Sequence, residues 1–298
     1  MRDYYEGEGA VEVHFFHVST DGRDNGAVHF CDADYQYAVI VSAIVAYQCG
    51  VKIICYCHMT THSHFLIRCD SFADALRFIK EYKRRYAQYV SQRYGERKIL
   101  KDVGCTPVPV RDLFHLRNCV SYILLNPVVA GICRTPEEYK WSSFETYFNN
   151  APLSGRHVSE LGVRECRTLL HTRQDLLTSG LMIDAEGNVE ARSFVDCKFV
   201  ERLYGSKTGY YRSLALTDCA AEEEKFIPHN YSFSETEVIA EFLNGARKLY
   251  GKESLHLLTK PEKYRLLIAV RKKMKVTPRR IARILRLKVE EVEAVLGK

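Results

Sequence analysis

The sequence of 298 residues lacks any long hydrophobic run. No apolar stretch approaches the roughly 18–20 residues that cross a bilayer, and internal repeats and low-complexity tracts are lacking as well. The chain opens on charged and polar residues, so we expect no secretory signal peptide there. These absences argue against a membrane, secreted or repeat protein. With 46% hydrophobic and 27% charged residues, the composition is typical of a soluble globular protein of one large or two to three ordinary domains.

Cysteine pairs of the CxxC type are also lacking, although the chain has 11 cysteines. Their number is odd and their spacing is irregular, which indicates neither a zinc site nor a disulfide framework. Several lie in apolar runs such as Ile53–Cys57, where a reduced cysteine acts as a small hydrophobic residue. We therefore expect a reducing, cytoplasmic location.

Positive charge is concentrated in two stretches, although the net charge is only +6. Residues 77–101 include nine basic side chains against two glutamates, and residues 260–288 include twelve against one. Such clusters are typical of proteins that bind polyanions, most often nucleic acid. A solvated helix face is the alternative for either stretch alone.

The first half of the chain alternates between the periodicities of strands and helices. The predicted strands cover residues 11–20, 51–59 and 62–69, and the predicted helices cover 32–48, 71–94 and 114–125. Ser71 and Gly95 are start and stop signals for the long helix, and Asn126-Pro127 is predicted to interrupt the last one. With a short strand expected within 99–110, the order β-α-β-β-α-β-α predicts an α+β fold, a ferredoxin-like antiparallel sheet with helices on one face.

The domain organisation that we predict has three parts. Residues 1–150 form the α+β domain, closed by the aromatic segment 139–148, and residues 151–225 form a middle extension. The extension is expected to contain a helix at 165–177 and a hairpin at 181–190 that turns at Glu186-Gly187-Asn188. Charged residues 222–225 and the segment 228–234 suggest a linker and a loop. Residues 226–298 then form an all-helical domain.

The end of this helical domain resembles a helix-turn-helix. Thr277 and Pro278 suit the start of its first helix, and the second helix is predicted from Val289 to Leu296. Acidic residues make that second helix poorly suited to the major groove. Basic residues on the preceding helix can still hold the phosphate backbone of duplex DNA, and the ones we select are Arg279, Arg280 and Arg283. A packing role is the alternative.

Two histidines on the third predicted strand are candidate metal ligands. His62 and His64 are two residues apart, so their side chains share one face of the strand, about 6–7 Å apart. Neutral imidazoles are common ligands of metal ions. Because the HxH pattern is short and frequent, two polar surface residues are the alternative.

A tyrosine and an asparagine four residues apart form the second candidate cluster. Tyr122 and Asn126 share one helical face. A phenol near a cation ionises more easily and can attack phosphorus as a covalent nucleophile, while Asn126 could supply an oxygen ligand. The alternatives are a packing role for Tyr122 and a helix cap at Asn126 before Pro127.

Several motifs together resemble the HUH single-tyrosine transposases, the IS200-like group. The segment from Ile54 to Ile67 is similar to their strand–turn–strand, and Tyr122–Gly131 followed by Pro136–Ser143 resembles the motifs of REP-associated tyrosine transposases. His17-Val18 and residues 83–86 also fit. The resemblance extends over roughly residues 11–148.

This resemblance implies metal-dependent cleavage and joining of single-stranded hairpin DNA. Tyr122 would form a 5′-phosphotyrosine and leave a free 3′-OH, with His62, His64 and Asn126 holding Mn²⁺ or Mg²⁺. Two imidazoles suit manganese better than magnesium, which prefers oxygen ligands. Relatives act as dimers or monomers, so a homodimer stays open.

One departure from the family pattern lies between the two histidines. The middle residue should be hydrophobic, yet it is Ser63, and Thr60-Thr61 replaces the usual Pro-Asn. If Ser63 faces the helices, it needs a hydrogen-bond partner or costs about 1–3 kcal/mol. The alternative function is therefore a domesticated nucleic-acid-binding regulator that no longer cuts.

The long helix 71–94 is the predicted DNA contact of the first domain. Its basic residues could bind phosphates and its tyrosines could stack on bases. The basic residues that we select are Lys80, Lys83, Arg84 and Arg85. Tyr82, Tyr86 and Tyr89 follow one helical stripe, which favours burial over contact with DNA.

Overall fold

The computed structural model divides the chain into two compact units, Met1–Ile227 and Pro228–Lys298. It describes residues 14–20, 27–95, 100, 106–172, 175–176, 178–219, 235–273, 276 and 278–296, without the side chains of 235–237, 272, 273 and 280. The predicted linker 222–225, the predicted loop 228–234 and the predicted cap Thr277 lie outside these residues. Among the described helices, none is both long and apolar enough to cross a membrane.

The first unit is built on a four-stranded antiparallel sheet. Its strands are β1 His14–Ser19, β2 Lys52–His58, β3 Ser63–Cys69 and β4 Val108–Val110. They are ordered β2-β3-β1-β4, with β3 paired to both β1 and β2. The α+β fold class, with its antiparallel sheet, is confirmed, and this strand order is that of the ferredoxin-like plan.

Three long helices pack against this sheet: α1 Asp32–Cys49, α2 Phe72–Tyr94 and α3 Leu113–Val129. The predicted start and stop residues lie at the two ends of α2. The Ser71 hydroxyl accepts a hydrogen bond from the Asp74 amide, and Gly95 ends the helix in the left-handed region. Helices α1 and α2 cover one face of the sheet. Helix α3 covers the other, because neighbouring residues of β3 contact α2 and α3 in turn.

The predicted interruption at Asn126-Pro127 is wrong, because α3 continues through both residues to Val129. Pro127 is buried inside the helix, where it removes one backbone donor. The Asn126 amide donates a hydrogen bond to the Tyr122 carbonyl at 2.7 Å, so a side chain adds a contact to the helical turn before the proline. Tyr122 and Asn126 consequently lie on one continuous helix.

The remaining elements of the first unit extend its core. They are α4 Val163–Leu170, α5 Cys197–Tyr204 and α6 Lys207–Leu216, the strands β5 Arg156–His157 and β6 Met182–Ile183, and short 3-10 helices at Pro136–Glu138, Phe144–Thr146, Val158–Glu160 and Ala191–Ser193. The predicted helix 165–177 is wrong at its end, since α4 stops where His171 turns into the left-handed region. At the predicted hairpin, Ile183 bridges Val189, while β6 pairs with β5.

The second unit is helical, as predicted for the C-terminal region. Its elements are α7 Glu235–Tyr250, α8 Lys260–Lys273, α9 Pro278–Leu285 and α10 Val289–Val295, with a 3-10 helix at Leu255–Leu257. Apolar side chains of all four helices form a separate core that includes Phe242, Leu266, Ile281 and Val292.

Candidate active site

The two predicted ligand histidines lie at the start of β3, on the side of the sheet that α3 covers. His64 is the second residue of β3 and is buried, and His62 is half-buried in the turn that precedes the strand. Alternation along the strand then points Ser63 to the opposite face. The structure thus places both imidazoles on one side, as their spacing predicted.

Hydrogen bonds link the histidines into a chain that includes a third imidazole. His62 Nε2 lies 2.7 Å from His64 Nε2, and His64 Nδ1 lies 3.0 Å from Nε2 of His17 on β1. The Thr61 hydroxyl lies 2.8 Å from His62 Nδ1. One consistent proton arrangement runs from the Thr61 hydroxyl through His62 and His64 to His17, each group donating to the next. His17 therefore fixes the orientation of His64.

His17 is suited to accept this hydrogen bond because it is neutral. Burial is the largest cause that lowers the pKa of His17 to about 3, and the nearby His115 and His62 contribute in the same direction. A neutral imidazole retains a lone pair for the His64 N–H. The sequence analysis included His17 in the family motif but predicted no role for it. The pairing of β1 with β3, in which His17 lies opposite Leu66, brings it close to His64, and the sequence alone could not predict this pairing.

Tyr122 lies directly against the histidines. Its ring meets those of His64 and His17 edge-to-face, with centroids 5.7 and 6.0 Å apart, and it is only 6% exposed. Helix α3 fixes this position, because the Asp112 side chain caps its first turn and apolar neighbours of Tyr122 are buried in the core. The structure thus brings Tyr122, His62 and His64 together.

Asn126 lies one turn beyond Tyr122 on α3 and is half-buried. Its amide nitrogen is engaged with the Tyr122 carbonyl, so the amide oxygen is the atom that could act as a ligand. The structure places Asn126 on the Tyr122 helix, and a role as metal ligand stays a prediction.

The chemistry of the donor set fits one cation between His62 and His64. Both Nε2 atoms point at each other, and a shift of one proton on His62 from Nε2 to Nδ1 would give both a free lone pair. The Thr61 hydroxyl can accept that Nδ1 proton as readily as it can donate. Within the described ranges, no three or more His, Cys, Asp and Glu side chains are grouped to hold a metal ion. The protein side chains thus offer a two-imidazole half-site.

Ser63 faces the helices, and it has the partners that its burial requires. Its hydroxyl is 1% exposed and lies 2.9 Å from His58 Nδ1 and 3.0 Å from the Tyr82 hydroxyl. The far nitrogen of His58 lies 3.4 Å from the hydroxyl of Ser42 on α1. Burial keeps the pKa of His58 well below its ordinary value, so this ring is neutral. A buried polar network thus replaces the hydrophobic contact expected between the histidines.

The basic residues selected on α2 differ in their surroundings. Lys80 is exposed, Lys83 is half-buried, and both Arg84 and Arg85 pair with Glu81 at 2.6–2.8 Å. The Arg84 and Arg85 hydrogen bonds lower the pKa of Glu81 to about 2. Tyr82 and Tyr86 are buried, as their stripe favoured, while Tyr89 is half-buried and donates to Asp34. Phosphate contacts through Arg84 and Arg85 would have to compete with Glu81.

In the second unit, Arg279 and Arg283 lie exposed on α9, and the side chain of Arg280 is outside the described part. The next helix, α10, carries Glu291, which forms an ion pair with Lys260 of α8 at 2.8 Å. DNA binding by this unit stays a prediction.

Comparison with known proteins supports the family indicated by the motifs. The family model described as "Transposase IS200 like" matches residues 31–103, which include the histidine strand and end before Tyr122. A solved structure of a REP-associated tyrosine transposase bound to a REP hairpin matches with 18% identity over 48% of this chain and 86% of that chain, at a TM-score of 0.35. A search of curated protein sequences found no match. The resemblance to the IS200-like transposases is confirmed over residues 31–103.

Proposed function

We propose that this chain cuts and rejoins single-stranded DNA through Tyr122. Its residues 31–103 match the model of the IS200-like transposase family. The observation that carries the proposal is the convergence of three side chains from separate elements. Tyr122 of α3 lies with its ring 5.7 Å from that of His64, whose Nε2 is 2.7 Å from that of His62. A nucleophile beside paired metal ligands is the arrangement that phosphoryl transfer to tyrosine requires.

In this mechanism, the Tyr122 oxygen loses its proton to solvent and forms a bond to the scissile phosphorus, which stays attached to the 5′ oxygen. The bond from phosphorus to the 3′ oxygen breaks, and that oxygen takes up a proton and leaves as a 3′-OH. His62 and His64, with Asn126 as an additional donor, would hold Mn²⁺ or Mg²⁺. When bound, the ion supplies charge stabilisation at the phosphate and makes the phenol easier to ionise. His17 would hold His64 in the tautomer whose Nε2 carries the lone pair that a metal ion requires. The phosphotyrosine conserves the bond energy for rejoining.

Hairpin DNA is the substrate that we propose, since the solved relative is bound to a REP hairpin. A silent nucleic-acid-binding protein is the alternative, and its main argument was the unusual Ser63. The two hydrogen-bond partners of Ser63 weaken that argument, because they satisfy the hydroxyl without disturbing either histidine.

The test is formation of a covalent adduct between the protein and labelled hairpin DNA in the presence of manganese. Wild-type protein should yield an adduct that survives denaturing electrophoresis, and Tyr122→Phe should yield none. Tyr210→Phe is a matched control, because the buried Tyr210 hydroxyl has no hydrogen-bond partner among the described residues, and its removal should leave the adduct unchanged. Absence of an adduct from wild type across a varied hairpin library would overturn the proposal.

A further inference from the structure

Three aromatic rings form a continuous stack at the end of the sheet where the histidines lie. The His29 and Tyr35 rings are 4.6 Å apart and inclined by 16°, and the Tyr35 and Trp141 rings are 4.9 Å apart and inclined by 10°. The Lys140 ammonium lies 4.5 Å from the centroid of the Trp141 ring. Because Tyr35 takes one face of the indole, the ammonium takes the other. The proposed cleavage chemistry uses none of these side chains.

This stack runs from the interior of the unit to its surface. His29 is 2% exposed, Tyr35 and Trp141 are half-buried, and the Lys140 side chain is 64% exposed. Lys140 forms an ion pair with Asp32 at 2.6 Å, and the Asp32 side chain is 68% exposed. Exposed ion pairs contribute little stability and exchange partners readily. The outer face of Trp141 is therefore covered by a cation that can move away.

The register of the sheet places this stack at the same end of the sheet as the candidate active site, with its inner end on the opposite face, where the His29 and His58 ring centroids are 5.8 Å apart. The Trp141 carbonyl accepts a hydrogen bond from the His58 amide, and Ser142 forms a bridge with Cys57, which is paired with His64. Ser142 is thus two strand spacings, about 10 Å, from His64. The Tyr35 hydroxyl donates to the side chain of Thr60, in the turn that leads to His62. A single strand that contacts both places would have to pass around this turn, at the edge between the two faces.

We propose that the outer face of Trp141, backed by Tyr35, is a stacking subsite for an unpaired base of the single-stranded substrate. The base would take the position of the Lys140 ammonium, and Lys140 would move from Asp32 to a neighbouring phosphate. Base–aromatic stacking is available to every base, and a lysine beside the ring supplies the charge that the backbone requires. The subsite rests on the proposed function, because it needs single-stranded DNA at this end of the sheet.

A purely structural role is the competing interpretation of the same stack. In that case Trp141 and Tyr35 would only pack the segment around residue 141 against helix α1, and DNA would not change their surroundings. The two interpretations differ in a property that can be measured directly, because Trp141 is the one tryptophan of the 298 residues. Its fluorescence reports on this ring alone.

The experiment follows tryptophan emission of the full chain during titration with short oligo-dA, without added metal and on the Tyr122→Phe background so that no strand is cut. Stacking of a base on the indole should quench the emission in a saturable manner. An abasic oligonucleotide of the same length and charge keeps the phosphate contacts but has no base to stack on the indole, so it should quench the emission much less. Equal quenching by both, or quenching by neither, would overturn the subsite.

Binding of a labelled oligo-dA by variants supplies a second readout. Trp141→Leu should weaken binding about tenfold, within the range of base–aromatic stacking. Tyr211→Leu is the matched control, since Lys207 lies 6.0 Å from that ring, and the residue is 38% exposed; its affinity should match wild type. Lys140→Gln should reduce the salt dependence of binding by about 0.7, the value for one phosphate on a single strand. Equal affinities of the Trp141→Leu and Tyr211→Leu proteins would contradict the proposal.

Failure of this proposal and failure of the proposed function give different results. Adduct formation through Tyr122 without quenching of Trp141 would remove the subsite and keep the strand transferase. Base-dependent quenching without any adduct would keep the subsite and leave a protein that binds single strands without cutting them.

Discussion

Replacing Ser63 by alanine tests whether the polar network behind the histidine strand stabilises the first unit. The substitution removes a hydroxyl that lies within 3.0 Å of both His58 and Tyr82 and leaves almost no cavity. The two remaining groups are 3.5 Å apart, so they can form only a long hydrogen bond with each other. At least one buried polar group then loses a good partner, which costs about 1–3 kcal/mol.

Urea unfolding followed by circular dichroism measures this loss, and an unchanged slope with denaturant shows that the compactness of both states is retained. Tyr82→Phe supplies the second edge of a double-mutant cycle with Ser63→Ala. Because the two hydroxyls share one hydrogen bond, the double variant should lose less than the sum of the single losses, with a coupling energy of about 0.5–1.5 kcal/mol. A Ser63→Ala protein within about 0.5 kcal/mol of wild type, a change typical of a neutral surface position, would refute the reasoning.

Three further predictions concern the metal site and the buried imidazoles. Manganese should support adduct formation at least as well as magnesium, because His62 and His64 would be nitrogen ligands, and a clear preference for magnesium would contradict this proposed ligand set. His17→Phe should weaken manganese binding, measured by calorimetry, about 10- to 100-fold, since it removes the acceptor that orients His64; unchanged affinity would show that His17 only packs. Burial lowers the pKa of His29 to about 4 and that of His58 well below the usual 6.5. Unfolding therefore takes up protons as the pH falls below about 6.5, and these two rings should lower the free energy of unfolding by up to about 2.7 kcal/mol per pH unit down to about pH 4. His29→Phe should reduce the slope in urea unfolding across this range by up to about 1.4 kcal/mol per pH unit, the contribution of one proton, and an unaltered slope would show that His29 does not contribute.

Elements with local signals were predicted closely from the sequence. Helix α2 was predicted at 71–94 and lies at Phe72–Tyr94, because Ser71 caps its first turn and Gly95 has the left-handed conformation that ends it. Strands β2 and β3 follow from apolar runs that flank a polar turn. Each of these signals acts between residues only a few positions apart, which is why a single sequence contains them.

The errors arose where a local signal was weaker than the surrounding packing. Asn126-Pro127 resembles a helix boundary, yet the apolar residues that precede it, Ile123 and Leu124, are fully buried in the core, and Pro127 itself is buried. Helix α5 was not predicted, because its eight residues are short for a periodic signal. Their burial is decided by contacts with residues far away in the chain.

The candidate site also combines features that local sequence signals predicted with features that depend on contacts between distant residues. The spacing of His62 and His64 predicted a shared strand face, and the motif around Tyr122 predicted a nucleophile, but no local pattern could predict that the two would meet. That meeting depends on α3 packing against the face to which His64 points. On the opposite face, Ser63 depends on His58 and Tyr82, whose contribution is equally non-local. A polar residue that looks unfavourable between two candidate ligands can therefore leave both histidines in place, provided that the opposite face supplies its hydrogen bonds.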